Sequence, residues 1–408
     1  MERQSFTGAE HYGRAVYLYA GQSNTTRLSR MKVAASRLPA WMSSPSDLDF
    51  LDAGSPLFNT DRALYSVGQN LHGTLSPGMF DKGRPGVTIT GDSGGFQFIG
   101  DPSKWHGNVT RAWVLDALER FTDEAMTLDI PTGAIAPGSP WPDFDTALGC
   151  TVDSLRFFDA RRSTDLRFLN VLQGRDAKEA DRWYEAVKWF PAGGWAFGGV
   201  MREDFRHIIK MLVRMHDEKL LGPDRNRVHV LGMADLPAAV LLTAIQRGMR
   251  ARLSDPDFLI TFDVSSPSMM AGNRQAYGYP RFSPREFGMS YPKPPTVVRP
   301  GYGSALWPVK SSAIGNVMRM EDLLVPKPGS VAQSAWDGLS EAMIVNHNVH
   351  SLLSGIEQAN RVLELHPDDA RQLAPDSLVE CYHALITACR HAHPESYLRH
   401  HAARFAAL

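Results

Sequence analysis

Short apolar runs, each ending in a polar or glycine-rich corner, recur through the middle of this 408-residue chain. They are VTITGDSGG, AMTLDIPTG, FLNVLQG, GWAFGGV, RVHVLGMAD and FLITFDVSSP. Between them lie stretches with apolar residues at helical spacing: RAWVLDALERFTDEAM, AKEADRWYEAVKWF, DFRHIIKMLVRMHDEKL and DLPAAVLLTAIQRGMRARL. Buried strands alternating with amphipathic helices predict a parallel sheet covered on both faces. Six such units in one chain of this size predict an α/β fold, a (β/α)8 TIM barrel in preference to an open sheet. In such a barrel reactive side chains stand where strands end and βα loops begin. Asp92, Asp129, Gln173, Gly198, Gly199 and Asp263 all fall at those corners.

The rest of the chain is less periodic. Residues 20–86 read irregularly and carry a basic run, RLSRMKVAASR. From about 277 to 328 the chain turns rich in Pro, Gly and aromatics, which predicts a long excursion from the barrel. SAWDGLSEAMIVNHNVHSLLSGIEQANRVLEL resumes helical periodicity, so the barrel domain is expected over 1–365. A C-terminal helical extension, 366–408, follows and contains DSLVECYHALITACRHA.

Composition narrows the setting. At 43% hydrophobic residues the chain can bury a large core, and a net charge of −1 carries no global signature of polyanion binding. Any nucleic-acid contact must come from local patches. Cys150, Cys381 and Cys389 are too scattered for a disulfide framework, which predicts a reducing compartment, the cytoplasm. There is no apolar run of membrane-spanning length, and the opening MERQSFTGAEHYGR lacks a leader's apolar core, so no membrane association is expected. No G-x-G-x-x-G follows a strand and no phosphate-loop lysine motif occurs, so no nucleotide cofactor is expected.

The corners suggest chemistry. Two carboxylates at strand ends, Asp92 and Asp263, suit attack on the anomeric carbon of a sugar by one while another group manages the leaving group's proton. Taken singly, each such aspartate reads equally as a helix N-cap, and Gly198-Gly199 as a tight turn. It is the set, on successive corners of one barrel face, that points to a site.

That set carries a resemblance. DSGGFQ, Asp92 to Gln97, resembles the signature of the tRNA-guanine transglycosylases, enzymes that exchange a base without breaking the polymer. In order, LDIPTG, VLQG, FGGV, VLGMAD and FDVSSPSMMAGNRQA are similar to further motifs of that family, so the likeness runs from Val87 to Tyr277, with a weaker echo at His347 and Asn348. It implies Asp263 as nucleophile and Asp92 as general acid/base. It implies Asp129 and Gln173 as readers of a guanine-like edge, with Ser93 and the backbone of Gly198, Gly199 and Val200 completing the pocket. Phe96 would stack on one face of the base, with Leu231 or Met233 opposite.

Two departures qualify the likeness. The tRNA enzymes carry a Cys-x-Cys-x-x-Cys zinc knot completed by a histidine, yet no cysteine lies between Asp263 and His347. No metal is expected there, nor from Cys381, His383, Cys389, His391 and His393, whose spacing fits no standard finger. Trp307 and Tyr302 are the expected substitutes bracing the excursion. Secondly, Met269 and Gly272 stand where those enzymes place arginines that read RNA. A kept pocket with a lost RNA reader is most similar to the 7-deazaguanine DNA transglycosylases of phages and bacteria. The resemblance then implies DNA as partner, a 7-deazaguanine such as 7-cyano-7-deazaguanine as incoming base, no cofactor and, for a phage protein, the host cytoplasm. Expected nucleic-acid contacts are Arg27, Arg30, Lys32 and Arg37, then Arg274, Arg281 and Arg285, with Arg299 and Lys310 further along. Arg274 leads this group because the tRNA enzymes have glycine there. A zinc-free enzyme acting on tRNA, a non-catalytic partner subunit and a sugar hydrolase are the alternatives, and a homodimer is left open.

Overall fold

The computed structural model describes residues 4–8, 12–21, 27–163, 166–233, 235–294, 303–326 and 334–405. Eight strands close into a barrel. They are β1 (Val16–Ala20), β2 (Arg62–Ser66), β3 (Thr88–Asp92), β4 (Glu124–Met126), β5 (Arg167–Leu172), β6 (Gly194–Phe197), β7 (Arg227–Val230) and β8 (Leu259–Val264). All neighbours run parallel, and β8 returns to β1 in the register Thr261 to Val16 through Val264 to Tyr19. The chain is thus a (β/α)8 barrel. Val16, Leu18, Leu64, Met126, Leu169, Val171, Ala196 and Leu259 fill the interior, and a second apolar layer joins the strands to the helices outside.

The helices are α1 (Asn108–Phe121), α2 (Phe144–Arg161), α3 (Ala177–Val187), α4 (Phe205–Asp217), α5 (Leu236–Leu253), α6 (Ser266–Gly272), α7 (Gly338–Leu363), α8 (Asp376–Arg390) and α9 (Pro394–His400). Among the described residues, the loops after β1 and β2 carry short 3-10 turns and the two-residue strand Phe58–Asn59 but no α-helix, which is why residues 20–86 show no helical period. RAWVLDALERFTDEAM is not one helix. α1 stops at Phe121 because the Thr122 hydroxyl and N–H both donate to the Leu118 carbonyl, and Glu124–Met126 leave as β4.

Aspartates cap α2, α3, α4, α5 and α7: Asp143, Asp176, Asp204, Asp235 and Asp337 each accept from a backbone N–H in the first turn. Asp92, Asp129 and Asp263 do not appear in that role.

The excursion begins with a hairpin, β9 (Pro280–Ser283) and β10 (Glu286–Met289), that lies on the flank of α5 and α7. Two short helices, Ala313–Val317 and Met320–Leu323, precede α7. His347 on α7 is fully buried, with Nδ1 2.6 Å from the Ser312 hydroxyl and Nε2 2.9 Å from the Tyr277 carbonyl oxygen. Burial pushes its pKa down to about 4, so the ring is neutral at physiological pH. Fully buried Trp307 packs edge-on against it, as expected, while Tyr302 and Arg299 lie outside the described residues. A serine, a carbonyl and an indole therefore occupy the surroundings of that histidine. Among the described residues no three His, Cys, Asp or Glu side chains stand close enough to share a metal. Cys381 and Cys389 are buried on α8, which packs along α5 with Cys389 against Gly248. No described helix is long and apolar enough to cross a membrane.

Candidate functional site

The C-terminal ends of β3 to β8 bring the expected residues to one end of the barrel. Asp92 ends β3, and its carboxylate accepts from the Gly94 N–H at 3.0 Å, with Ser66, its register partner at the end of β2, beside it. Gly94 has φ +83°, and a Cβ there would stand 2.6 Å from the Gly68 nitrogen. The paired glycines of DSGGF thus fold this loop directly onto the backbone that follows β2. Burial pushes the Asp92 carboxyl above the ordinary carboxylate range, and the charge of Asp263 pushes the same way, while Gly94 and Ser66 oppose them.

Asp129 and Gln173 form a buried pair. Gln173 Nε2 donates to Asp129 Oδ2 at 2.8 Å, and Gln173 Oε1 is buried without a hydrogen-bond partner. A Cβ on Gly199, φ +64°, would meet that oxygen at 2.7 Å, so only glycine leaves room beside it. Burial pushes Asp129 up to about 7, the Asp92 charge adding and Gln173 opposing. Since the folded state binds this proton more tightly than the unfolded chain, with its ordinary 3.8, the stability linked to Asp129 is full below about pH 4. It is lost as pH rises to 7. Asp129→Asn is therefore expected to be more stable than the wild type above pH 7, by on the order of 4 kcal/mol at most, with the gap shrinking toward pH 4. Urea unfolding at pH 4.5, 6 and 8 measures this, and a pH-independent gap would refute it.

The remaining expected pocket residues are placed as follows. Ser93 is buried and its hydroxyl donates to the Thr127 carbonyl at 3.1 Å, leaving only acceptor capacity. Phe96 and Val200 are exposed, 72% and 60%, on the loops after β3 and β6. Leu231 packs against the barrel-interior residues and Met233 against the outer layer.

Asp263 is the penultimate residue of β8 and is buried. Its Oδ1 lies 3.1 Å from His229 Nε2 and accepts from the Gly232 N–H at 2.9 Å. His229, in the middle of β7, was not singled out in the sequence. A histidine in RVHVLG flanked by valines reads as a core residue, and only its alternation with the outward-facing valines marks it as facing inward. Asn348 was likewise seen only as an echo. It donates to the Pro267 and Gln275 carbonyls and accepts from the Tyr277 N–H, pinning both ends of α6. Arg202, after Gly198-Gly199, lies against Gly232 with its Nε buried and unpartnered.

The cations divide. Arg30 donates to Ser76 and stays exposed, Lys32 is exposed, and Arg27 is half-buried. Arg37 is committed to Asp337 and Ser340, and Lys310 to the Gly315 carbonyl. Arg281 pairs with Glu286, and both it and Arg285 sit on the flanking hairpin. Arg274 is exposed beyond α6. There Gln275 N–H bonds the Met270 carbonyl and Arg274 N–H the Ala271 carbonyl, the Schellman arrangement that places Arg274 at φ +55°. That is the position glycine normally takes.

Comparison with known proteins adds no family. No family model matches this chain, and no curated protein matches it.

Proposed function

We propose that this protein exchanges guanine in DNA for a 7-deazaguanine base through a covalent glycosyl-aspartate. The observation that carries this reading is the Asp129–Gln173 pair, a buried acceptor without a partner beside a glycine-lined wall. Such a pair fits a flat ligand with donors on its edge, as a guanine-type base has. Carboxylates on either side supply the chemistry. Asp263 forms a bond to C1′ as the C1′–N9 bond breaks, and Asp92, whose hold on a proton burial strengthens, gives its proton to the departing base. The incoming base returns a proton to Asp92 as its own nitrogen attacks C1′ and releases Asp263. Two displacements retain the configuration at C1′ and need no nucleotide energy.

DNA is favoured over tRNA by the Met269 and Gly272 positions and by Arg274. A non-glycine residue at φ +55° costs about 1 kcal/mol, and Arg274 is exposed beside the segment that follows Asp263. Arg274→Gly is expected to stabilise the fold by up to about 1 kcal/mol and to weaken DNA binding, lowering the slope of log K against log salt by about 1. Titrations between 50 and 200 mM salt, roughly the range over which phosphate contacts are lost, read both effects. An unchanged slope would remove Arg274 from the interface.

The direct test is incorporation of labelled 7-cyano-7-deazaguanine into DNA and tRNA side by side, with Asp263→Ala as control. Label in DNA alone, lost in the variant, supports the proposal. Label in tRNA alone would transfer the same chemistry to RNA, and label in neither would overturn it.

A further inference from the structure

Asp263 accepts two hydrogen bonds, and both fall on one oxygen. His229 Nε2 is 3.1 Å from Oδ1 and the Gly232 N–H 2.9 Å from it. Oδ2 takes none from the described residues. His229 is itself held: it is fully buried on β7, and its Nδ1 lies 2.8 Å from the Thr261 hydroxyl on β8. A carboxylate can only accept, so the proton between it and the ring sits on Nε2, while the Thr261 hydroxyl stands between Nδ1 and the Val228 carbonyl, 3.3 Å away.

We infer that His229 is a positioning residue which, with the Gly232 N–H, clamps Asp263 so that Oδ2 alone is presented for attack. This role rests on the base-exchange reading above. Oδ2 forms the bond to C1′ while the C1′–N9 bond breaks and N9 takes the Asp92 proton. Oδ1 becomes the carbonyl oxygen of the resulting ester and keeps both donors. When the incoming base attacks C1′ and gives its proton to Asp92, the C1′–Oδ2 bond breaks. Its electron pair returns to a carboxylate that the same two donors stabilise, so they assist departure of Asp263 as well as its orientation. His229 never touches the base. Its loss should therefore change turnover and leave base affinity in place.

The test compares His229→Leu, which keeps bulk without a donor, with His229→Gln, whose amide N–H reaches the place of Nε2. The Leu variant is expected to lose about 100-fold in kcat, the usual scale for one preorganised donor, with KM for the base changed less than about threefold. The Gln variant is expected to recover at least about tenfold of that loss while melting at the same temperature as the Leu variant. Wild-type kcat in His229→Leu would overturn the role. So would equal losses in both variants with a raised KM, which would make His229 a packing residue. A wild-type protein that exchanges base in neither polymer would overturn the base-exchange reading, and this role with it.

Discussion

Asp263→Asn should abolish base exchange while leaving the fold intact. Its amide oxygen can still accept from His229 and from the Gly232 N–H, which together hold Oδ1 at 3.1 and 2.9 Å. The swap changes only the other atom, turning the free oxygen into an NH2 group that cannot attack C1′. Loss of a covalent nucleophile costs on the order of 10⁴-fold or more, because the remaining groups cannot substitute for the bond it makes. Two measurements check this. Labelled base incorporation should fall to background, and a protein–DNA adduct that survives denaturation should be seen in the wild type alone. Thermal unfolding should move little. Retained exchange in this variant would remove Asp263 from the chemistry.

Gly94→Ala is the second large effect, and it enters through the backbone. The φ of +83° costs an alanine about 1–2 kcal/mol, and its Cβ would stand 2.6 Å from the Gly68 nitrogen. Backbone cannot yield as a side-chain tip can, so overpacking adds roughly 1–3 kcal/mol, for about 3 kcal/mol in total. The displaced loop carries the N–H that fixes Asp92 at 3.0 Å, and a shift of about 1 Å at a reacting group costs on the order of 100-fold in rate. Gly68→Ala separates the two terms. It meets the Gly94 carbonyl oxygen at 2.8 Å but has no positive φ to strain, so its loss of stability should be smaller. Urea unfolding and the exchange assay on both variants measure this. Wild-type stability in Gly94→Ala would mean the two loops do not touch.

Much of this architecture is legible in the chain. The apolar runs ending at Asp92, Asp129, Gln173, Gly198 and Asp263 are barrel strands and their corners, because a strand buried on both faces must be apolar throughout and must stop where polar groups reach solvent. β1 and β2 were less evident, since their loops hold no helix among the described residues to mark the alternation. RAWVLDALERFTDEAM misled in the other direction, as apolar spacing continues past Phe121 although the backbone does not. The expected cation set proved uneven for the same kind of reason: nothing local distinguishes Arg37, tied to Asp337 on α7, from Arg30, which remains exposed.

What the sequence by itself determined is the barrel class and the residues at the C-terminal ends of its strands, because both depend on short-range period and on which side chains sit where strands stop. What only the tertiary structure decided is the set of partners: Ser66 with Asp92, Gly68 with Gly94, His229 with Asp263, Asn348 with the ends of α6, and Ser312 with His347. Alternation along a strand says that a side chain points inward. Its partner is set by barrel closure, which puts residues far apart in the chain within hydrogen-bonding distance.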